Sequence, residues 1–216
     1  LLSKNIRLQA AFNHVHIFLD PNPDPKKSWE ERKRLFDLPG STWKDYKSSL
    51  ISKGGGVFDR KAKEISLSKE AQTLLGLSTS VVNGSDLIKA ILKIQTDLLW
   101  FGGIGTYIKS TSQTHLQVGD PSNDAVRINA DECRALVIGE GANLGVTQQG
   151  RIQMAEAGIK LNTDAIDNSA GVNLSDYEVN LKILLKQLLD AKVLSASLKA
   201  SRPWEKRKMR VRLLSS

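Results

Sequence analysis

The 216-residue sequence predicts an α/β protein, a doubly wound and mostly parallel sheet with helices on both faces. Three observations predict it. Short apolar runs, VHIFLD (15–20), DLLW (97–100) and LVIGE (136–140), alternate with stretches whose apolar residues recur at helical spacing. The first of these runs is β-branched and apolar on both faces, as a parallel strand buried between two helix layers is. The composition, 40% hydrophobic and 25% charged, excludes disordered, collagen-like and coiled-coil chains, and the length suffices for a core without disulfide or metal staples.

Taken in order, Leu2, Ile6, Leu8, Ala10 and Phe12 fall at helical spacings and predict a helix ending near His14. The strand 15–20 follows, and PNPDP (21–25) ends it because proline cannot donate to a ladder. Residues 28–82 read as an irregular insertion. It holds a short helix over SWEERKRLFD stopped by Pro39-Gly40, a loop at Lys53-Gly54-Gly55-Gly56, a ribbon over VFDRKAKEISL, and a helix capped by Ser68 and closed by Gly76. After Gly84 the alternation resumes: a helix with Ser85 as N-cap, the strand 97–100, GGIGT, and a long connection to a helical turn at NADECRA. The strand 136–140, a GANLGVT loop and a helix capped by Thr147 come next. A strand around 160–166, a polar loop DNSAGVN and a last helix from about Ser175 to Leu189 complete a Rossmann-like domain over 1–190.

Charge is uneven. Residues 192–216 hold eight Lys or Arg against one acid, so this tail carries +7 of the formal +8. Such a tail is a solvated terminus or a phosphate-contacting segment, and the rest of the chain, near neutrality, makes nucleic acid an unlikely partner. Cys133 has no second cysteine to pair with, and His14, His16 and His115 are too scattered to suggest a metal site. No apolar run spans a bilayer and no signal-peptide layout opens the chain, which predicts a cytoplasmic protein with no membrane partner. The chain begins with Leu1 and enters a helical pattern without a cap, and is read as an N-terminally truncated piece of something longer.

In parallel α/β sheets the ligand lies at the carboxyl ends of the strands. Asp20, which ends the first strand, offers acceptors for both hydroxyls of an adenosine ribose while repelling a 2′-phosphate, favouring NAD over NADP; it also fits an Asp-Pro turn. Gly102, Gly103 and Gly105 would let a dinucleotide approach the backbone closely, although their spacing is not GxGxxG. Asn143, in EGAN (140–143), and Asn168, in DNSAG (167–171), each donate and accept, as a carboxamide or ribose requires, and each also fits a plain turn.

EGAN followed by Thr147, then DNSAGV, then Ser175-Asp176-Tyr177-Glu178, resembles the nucleotide-binding domain of glutamate dehydrogenases. HVHIFLDPNPDP (14–25), SWEERKRLFDLPGSTWKDY (28–46), LISKGGGVFDR (50–60), LLWFGGIGTYIKS (98–110) and LNTDAIDNSAGVN (161–173) narrow the resemblance to the large-subunit, NAD-specific enzymes of bacteria, over residues 1 to about 189. The resemblance implies oxidative deamination of L-glutamate to 2-oxoglutarate and ammonia with hydride transfer to NAD, in an enzyme that is a homo-oligomer when intact. It implies that Asp20 holds the adenosine ribose and that Gly102 to Gly105 line the cleft. Asn143 and Asn168 would flank the nicotinamide riboside. Ser175 would bind the substrate γ-carboxylate, a role that also suits an N-cap of the last helix, where an anion is favoured.

The pyrophosphate-binding turn and the catalytic lysines and acid of that family are expected upstream of Leu1, so no catalytic residue is assigned and the piece alone is expected to be inactive. From about residue 190 the text departs from the family. Two alternatives stand beside this reading: a dehydrogenase for another amino acid, distinguished by an apolar pocket in place of Ser175, and an inactive remnant whose basic tail contacts nucleic acid.

Overall fold

The structure, a computed structural model, describes residues 3–191. The basic tail from residue 192 onward lies outside the described residues, as do Leu1 and Leu2 of the expected first helix. The chain divides into two units, 1–168 and 169–216.

The first unit begins with strands β1 (Ala10–Phe12) and β2 (His16–Leu19), helix α1 (Pro25–Asp37), then β3 (Gly56–Asp59), β4 (Ile65–Ser66), α2 (Lys69–Leu75), β5 (Val81–Val82) and α3 (Gly84–Leu92). It continues through β6 (Thr96–Phe101), β7 (Ile108–Lys109), α4 (His115–Val118), β8 (Ile128–Asn129), β9 (Ala135–Glu140), α5 (Gln148–Glu156), β10 (Lys160–Leu161) and α6 (Asp164–Asp167). The second unit is described over α7 (Ser169–Asp190), where Glu178 and Lys182 pair at 2.5 Å one turn apart. No helix among the described residues is long and apolar enough to cross a membrane.

The protein is mixed α/β with a parallel sheet. That sheet has the order β10-β9-β6, with Leu98 opposite Val137 and Phe101 opposite Glu140. Its inner face, through Leu99, Phe101 and Ile138, joins a core with Ile88 and Ile91 of α3 and Met154 of α5. Within this unit the other face leaves Leu98, Trp100 and Val137 about two-fifths exposed.

The strand predicted at 15–20 is present as β2, but it is the centre of an antiparallel sheet β1-β2-β3 and does not join the parallel one. Its apolar character on both faces has a physical account. Ile17 and Leu19 face the main core, whereas Phe18 stacks on Trp43 and packs at a tilt against Tyr46, each with ring centroids 4.8 Å apart, in a second cluster with Leu35. Burial on two sides fixes composition but not the direction of the neighbouring strand.

Over the described part of the helix expected at 1–13, residues 3–13 form no helix, and Ala10–Phe12 is the strand β1. Asn13 makes the difference: its side chain accepts the N–H groups of Val15 and His16, both at 2.8 Å, turning the chain so that Ala10–Phe12 pairs with Ile17–Leu19. Residues 56–66 do not form a ribbon with themselves. β3 pairs with β2 and β4 with β5.

Local signals fare better. Asp24 caps α1 by accepting from the Lys27 N–H at 2.9 Å, with Pro25 at the first helical position, and the helix stops before Pro39-Gly40. Ser68 caps α2 and Gly76, at φ +66°, closes it. The cap of α3 is Asn83, not Ser85: its carboxamide accepts from the Asp86 N–H at 2.9 Å. The strand expected over 160–166 is only Lys160–Leu161, because Asp164–Asp167 turn into α6.

In the second cluster's wall, Glu31 is buried and bridged by Arg34 at 2.8 and 2.6 Å, with the Lys47 N–H at 2.8 Å. The Arg34 hydrogen bonds, opposed by burial and helped by Lys47, hold its carboxyl below the ordinary value of 4.5. A depressed folded value contributes stability that is present above the unfolded value and is lost as pH falls through the folded one. The difference in melting temperature between the parent chain and Glu31→Gln should therefore be greatest near neutrality and close as the buffer is taken below pH 4.5. A gap that stays constant through the acid range would show that Glu31 is not linked in this way.

Candidate functional site at the carboxyl edge of the parallel sheet

Three of the segments singled out by sequence meet at one edge. The loop 102–106 leaves β6, the loop 141–147 leaves β9 and the turn 162–168 leaves β10, so all three stand at carboxyl ends of neighbouring parallel strands. Hydrogen bonds lace the first two together: Thr106 Oγ1 donates to the Leu144 carbonyl at 2.7 Å, the Tyr107 N–H to the Gly145 carbonyl at 2.8 Å, and the Thr147 N–H to the Ile108 carbonyl at 3.0 Å. The second and third are joined by their acids. Asp167 accepts the Glu140 N–H at 3.1 Å and Asp164 the Leu144 N–H at 2.9 Å.

Asn143 and Asn168 touch. The Asn168 Nδ2 donates to Asn143 Oδ1 at 2.8 Å, with Asn143 exposed and Asn168 half-buried. A primary amide has two N–H donors and a two-lone-pair oxygen. This bond therefore leaves the Asn143 NH₂ and the Asn168 oxygen uncommitted, a donor and an acceptor side by side.

The glycines differ in what requires them. Gly105 has φ +124°, and a Cβ there would meet Asn123 Nδ2 at 2.6 Å. The Trp100 indole lies over the end of β9 and the residue after it so closely that a Cβ on Gly139 or Gly141 would sit 2.5 or 2.4 Å from the ring. Gly103 is exposed and a side chain there would meet nothing within 4 Å, so the chain itself makes no use of its smallness.

Asp20 lies elsewhere, at the end of β2 on the antiparallel sheet, and is 1% exposed. Its Oδ1 accepts the Ser52 N–H at 3.1 Å and the Ser52 hydroxyl, so its side chain holds the Ser52–Gly55 loop and does not close its own Asp-Pro turn. Its Oδ2 is buried without a partner. A buried carboxylate oxygen lacking a donor is costly, and a ligand hydroxyl is the kind of group that completes it. None of its hydrogen bonds reaches the three strand-end loops. The two regions share one core instead, through Leu19, Phe101 and Ile108, and Phe12 meets Tyr107 edge-on at 5.4 Å.

Ser175 falls in the second unit, exposed, as the seventh residue of α7. It is not the N-cap the sequence suggested. The polar text 167–173 is helical from Ser169, so the helix-terminus argument for an anion does not apply at Ser175 and the family resemblance alone supports its role.

Sequence reasoning missed the groups that hold the edge together. Glu140, fully buried, receives both Nε and Nη2 of Arg151 at 2.7 and 2.9 Å, and Arg151 Nη2 also lies 3.2 Å from Asp164. Burial lowers the Arg151 value, but Glu140 and the two aspartates outweigh it and raise it further. Asp120 accepts the Thr106 N–H at 2.9 Å. Burial raises its carboxyl, yet Thr106, Asn123 and Arg127 together bring it below the ordinary range. No short motif contains these pairs, so nothing local signalled them.

This α/β chain gathers glycine and amide loops at the carboxyl ends of three parallel strands, the edge at which parallel α/β sheets take their ligands. Residues 1–202 match the family model described as the catalytic domain of bacterial NAD-glutamate dehydrogenase, and the chain belongs to that family. It is 55% identical over 202 residues to an NAD-specific glutamate dehydrogenase of Mycobacterium tuberculosis, a match covering 91% of this chain and 12% of the relative. Proteins of the same name from Halomonas elongata and Pseudomonas aeruginosa are each 51% identical over 88% of the chain. The chain spans about 12% of the length of these relatives. The family match runs to residue 202, beyond the limit near 189 read from sequence, and so takes in part of the basic tail.

Proposed function

We propose that this chain forms the dinucleotide-facing part of an enzyme that oxidatively deaminates L-glutamate to 2-oxoglutarate and ammonia with NAD as acceptor. Residues 1–190 are its Rossmann-like, doubly wound nucleotide domain with 28–82 inserted, in a cytoplasmic enzyme that works as a homo-oligomer. The observation that carries the reading is the amide pair Asn143–Asn168, 2.8 Å apart at adjoining strand ends, with the NH₂ of Asn143 and the oxygen of Asn168 to spare. The names of relatives at 51–55% identity supply the reaction.

The residues fit the cofactor. Asp20 Oδ2 accepts a ribose hydroxyl, and its charge disfavours a 2′-phosphate. Of the three loop glycines, Gly103 leaves room for close approach, whereas Asn123 takes up the space at Gly105 and the Trp100 indole borders Gly102. Asn143 and Asn168 hold the nicotinamide riboside, and the Ser175 hydroxyl donates to the substrate γ-carboxylate. When bound, NAD supplies the hydride acceptor; the chain's part is orientation and electrostatics.

The test is a chimera in which residues 1–202 replace the matched segment of the Mycobacterium tuberculosis relative. NADH formation with L-glutamate, at a rate comparable to the parent enzyme, is expected. Turnover of leucine or phenylalanine in place of glutamate would move the substrate to another amino acid, and a silent chimera that is folded would overturn the reading.

A further inference from the structure

We propose that Arg151 is a positioning residue for the nicotinamide half of the dinucleotide, acting through Glu140 and Asp164. The inference rests on the reading of Asn143 and Asn168 given above. It starts from a buried ion set that the proposed chemistry does not use. Glu140, the last residue of β9, is fully buried and held by three donors: one oxygen takes Arg151 Nε at 2.7 Å, the other takes Arg151 Nη2 at 2.9 Å and the Val146 N–H at 3.3 Å. Burial leaves neither oxygen open to a ligand.

The same guanidinium reaches the neighbouring strand end. Its Nη2 lies 3.2 Å from Asp164 Oδ1, while Asp164 Oδ2 accepts the Leu144 N–H at 2.9 Å. Leu144 has φ +57°, the sole non-glycine in the left-handed region among the described residues, and it directly follows Asn143. A leucine in that conformation is strained and persists where the surroundings enforce it. Asp164 is what the structure offers for that task, and Arg151 holds Asp164. One cation thus ties the root of the 140–146 loop, its strained middle and the 162–168 turn into a single frame, and Asn143 and Asn168 are the two side chains that meet across it.

A buried ion pair contributes little net stability, since desolvation offsets most of the attraction. What a planar, two-pronged guanidinium adds is geometry, and lysine cannot reproduce it. Arg151 sits on α5, whose N-cap Thr147 ends the same loop, so the frame is also anchored to a helix.

The test separates positioning from folding by using two ligands on the same chimera. NAD carries the nicotinamide riboside and ADP-ribose does not. In Arg151→Lys, and independently in Asp164→Asn, the dissociation constant for NAD should rise about tenfold and kcat for glutamate should fall. The constant for ADP-ribose should stay as in the parent. Equal weakening of both ligands would reduce Arg151 to a structural role and overturn the proposal, as would unchanged NAD binding in both variants. Asp164 is partly exposed, so its variant carries the test if Arg151→Lys does not fold. A parent chimera that binds ADP-ribose and NAD equally well would instead sink the reading of the asparagine pair, an outcome visible before any variant is made.

Discussion

Arg127→Met is expected to lower the unfolding free energy of the chain by about 2–4 kcal/mol, the cost of leaving two main-chain carbonyls without their donor. The Arg127 side chain is completely buried, and each of its nitrogens is spoken for. Nε donates to the Thr106 carbonyl at 2.8 Å and Nη2 to the Asp120 carbonyl at 2.6 Å, while Nη1 meets the Asp124 carboxylate and lies 2.8 Å from His115 Nδ1. Methionine fills much of the volume but strands two main-chain carbonyls and leaves Asp120 and Asp124 without their cation. The loss lands on the connection between β7 and β8, and through Thr106 on the loop that leaves β6. Arg127→Lys should recover little of it, because a single ammonium nitrogen cannot reach the separate partners that Nε, Nη1 and Nη2 of the guanidinium fork serve. Urea unfolding of the two variants beside the parent measures this, and a midpoint unmoved in Arg127→Met would show that the guanidinium is dispensable.

Elements whose determinants are local were legible in the sequence. Ser68 and Gly76 bracket α2 and Thr147 opens α5 because a cap is decided by residues within one turn of it. The strands β6 and β9 are apolar runs between glycines and polar turns, and polar residues named as candidates follow their carboxyl ends. Elements decided at a distance were not legible. Leu8, Ala10 and Phe12 satisfy a helical spacing and a strand alternation alike; pairing with β2 around the Asn13 turn settles the matter. β2 shows burial on both faces but carries no mark of the direction of its neighbours. The start of α7 was hidden by Asn168, Ser169 and Gly171, residues of modest or poor helix propensity that tertiary context overrides. Asn143 and Asn168 could be named from their places after strands, whereas the Arg151–Glu140–Asp164 frame could not, since each partner comes from a different element.

Asn143→Ala and Asn168→Ala should each lower kcat/KM for glutamate oxidation in the chimera by about 10- to 100-fold, the equivalent of roughly 1.4–2.8 kcal/mol at the transition state. On the proposed reading each substitution removes a ligand-facing group, and it also removes the partner that orients the other amide, because the two are joined by one 2.8 Å hydrogen bond. That shared bond dictates how the effects combine. With either asparagine gone, the survivor has lost its orienting contact, so removing it as well should add little; the double variant should fall well short of the product of the two single effects. If the pair acts on the nicotinamide riboside, ADP-ribose affinity stays unchanged across all three variants while NAD affinity declines. Should the single effects multiply in the double variant, the asparagines would be acting independently, and their contact would have no functional consequence. A loss smaller than twofold in both single variants would remove the pair from the site, leaving Asp20 and the glycine loop as its residues.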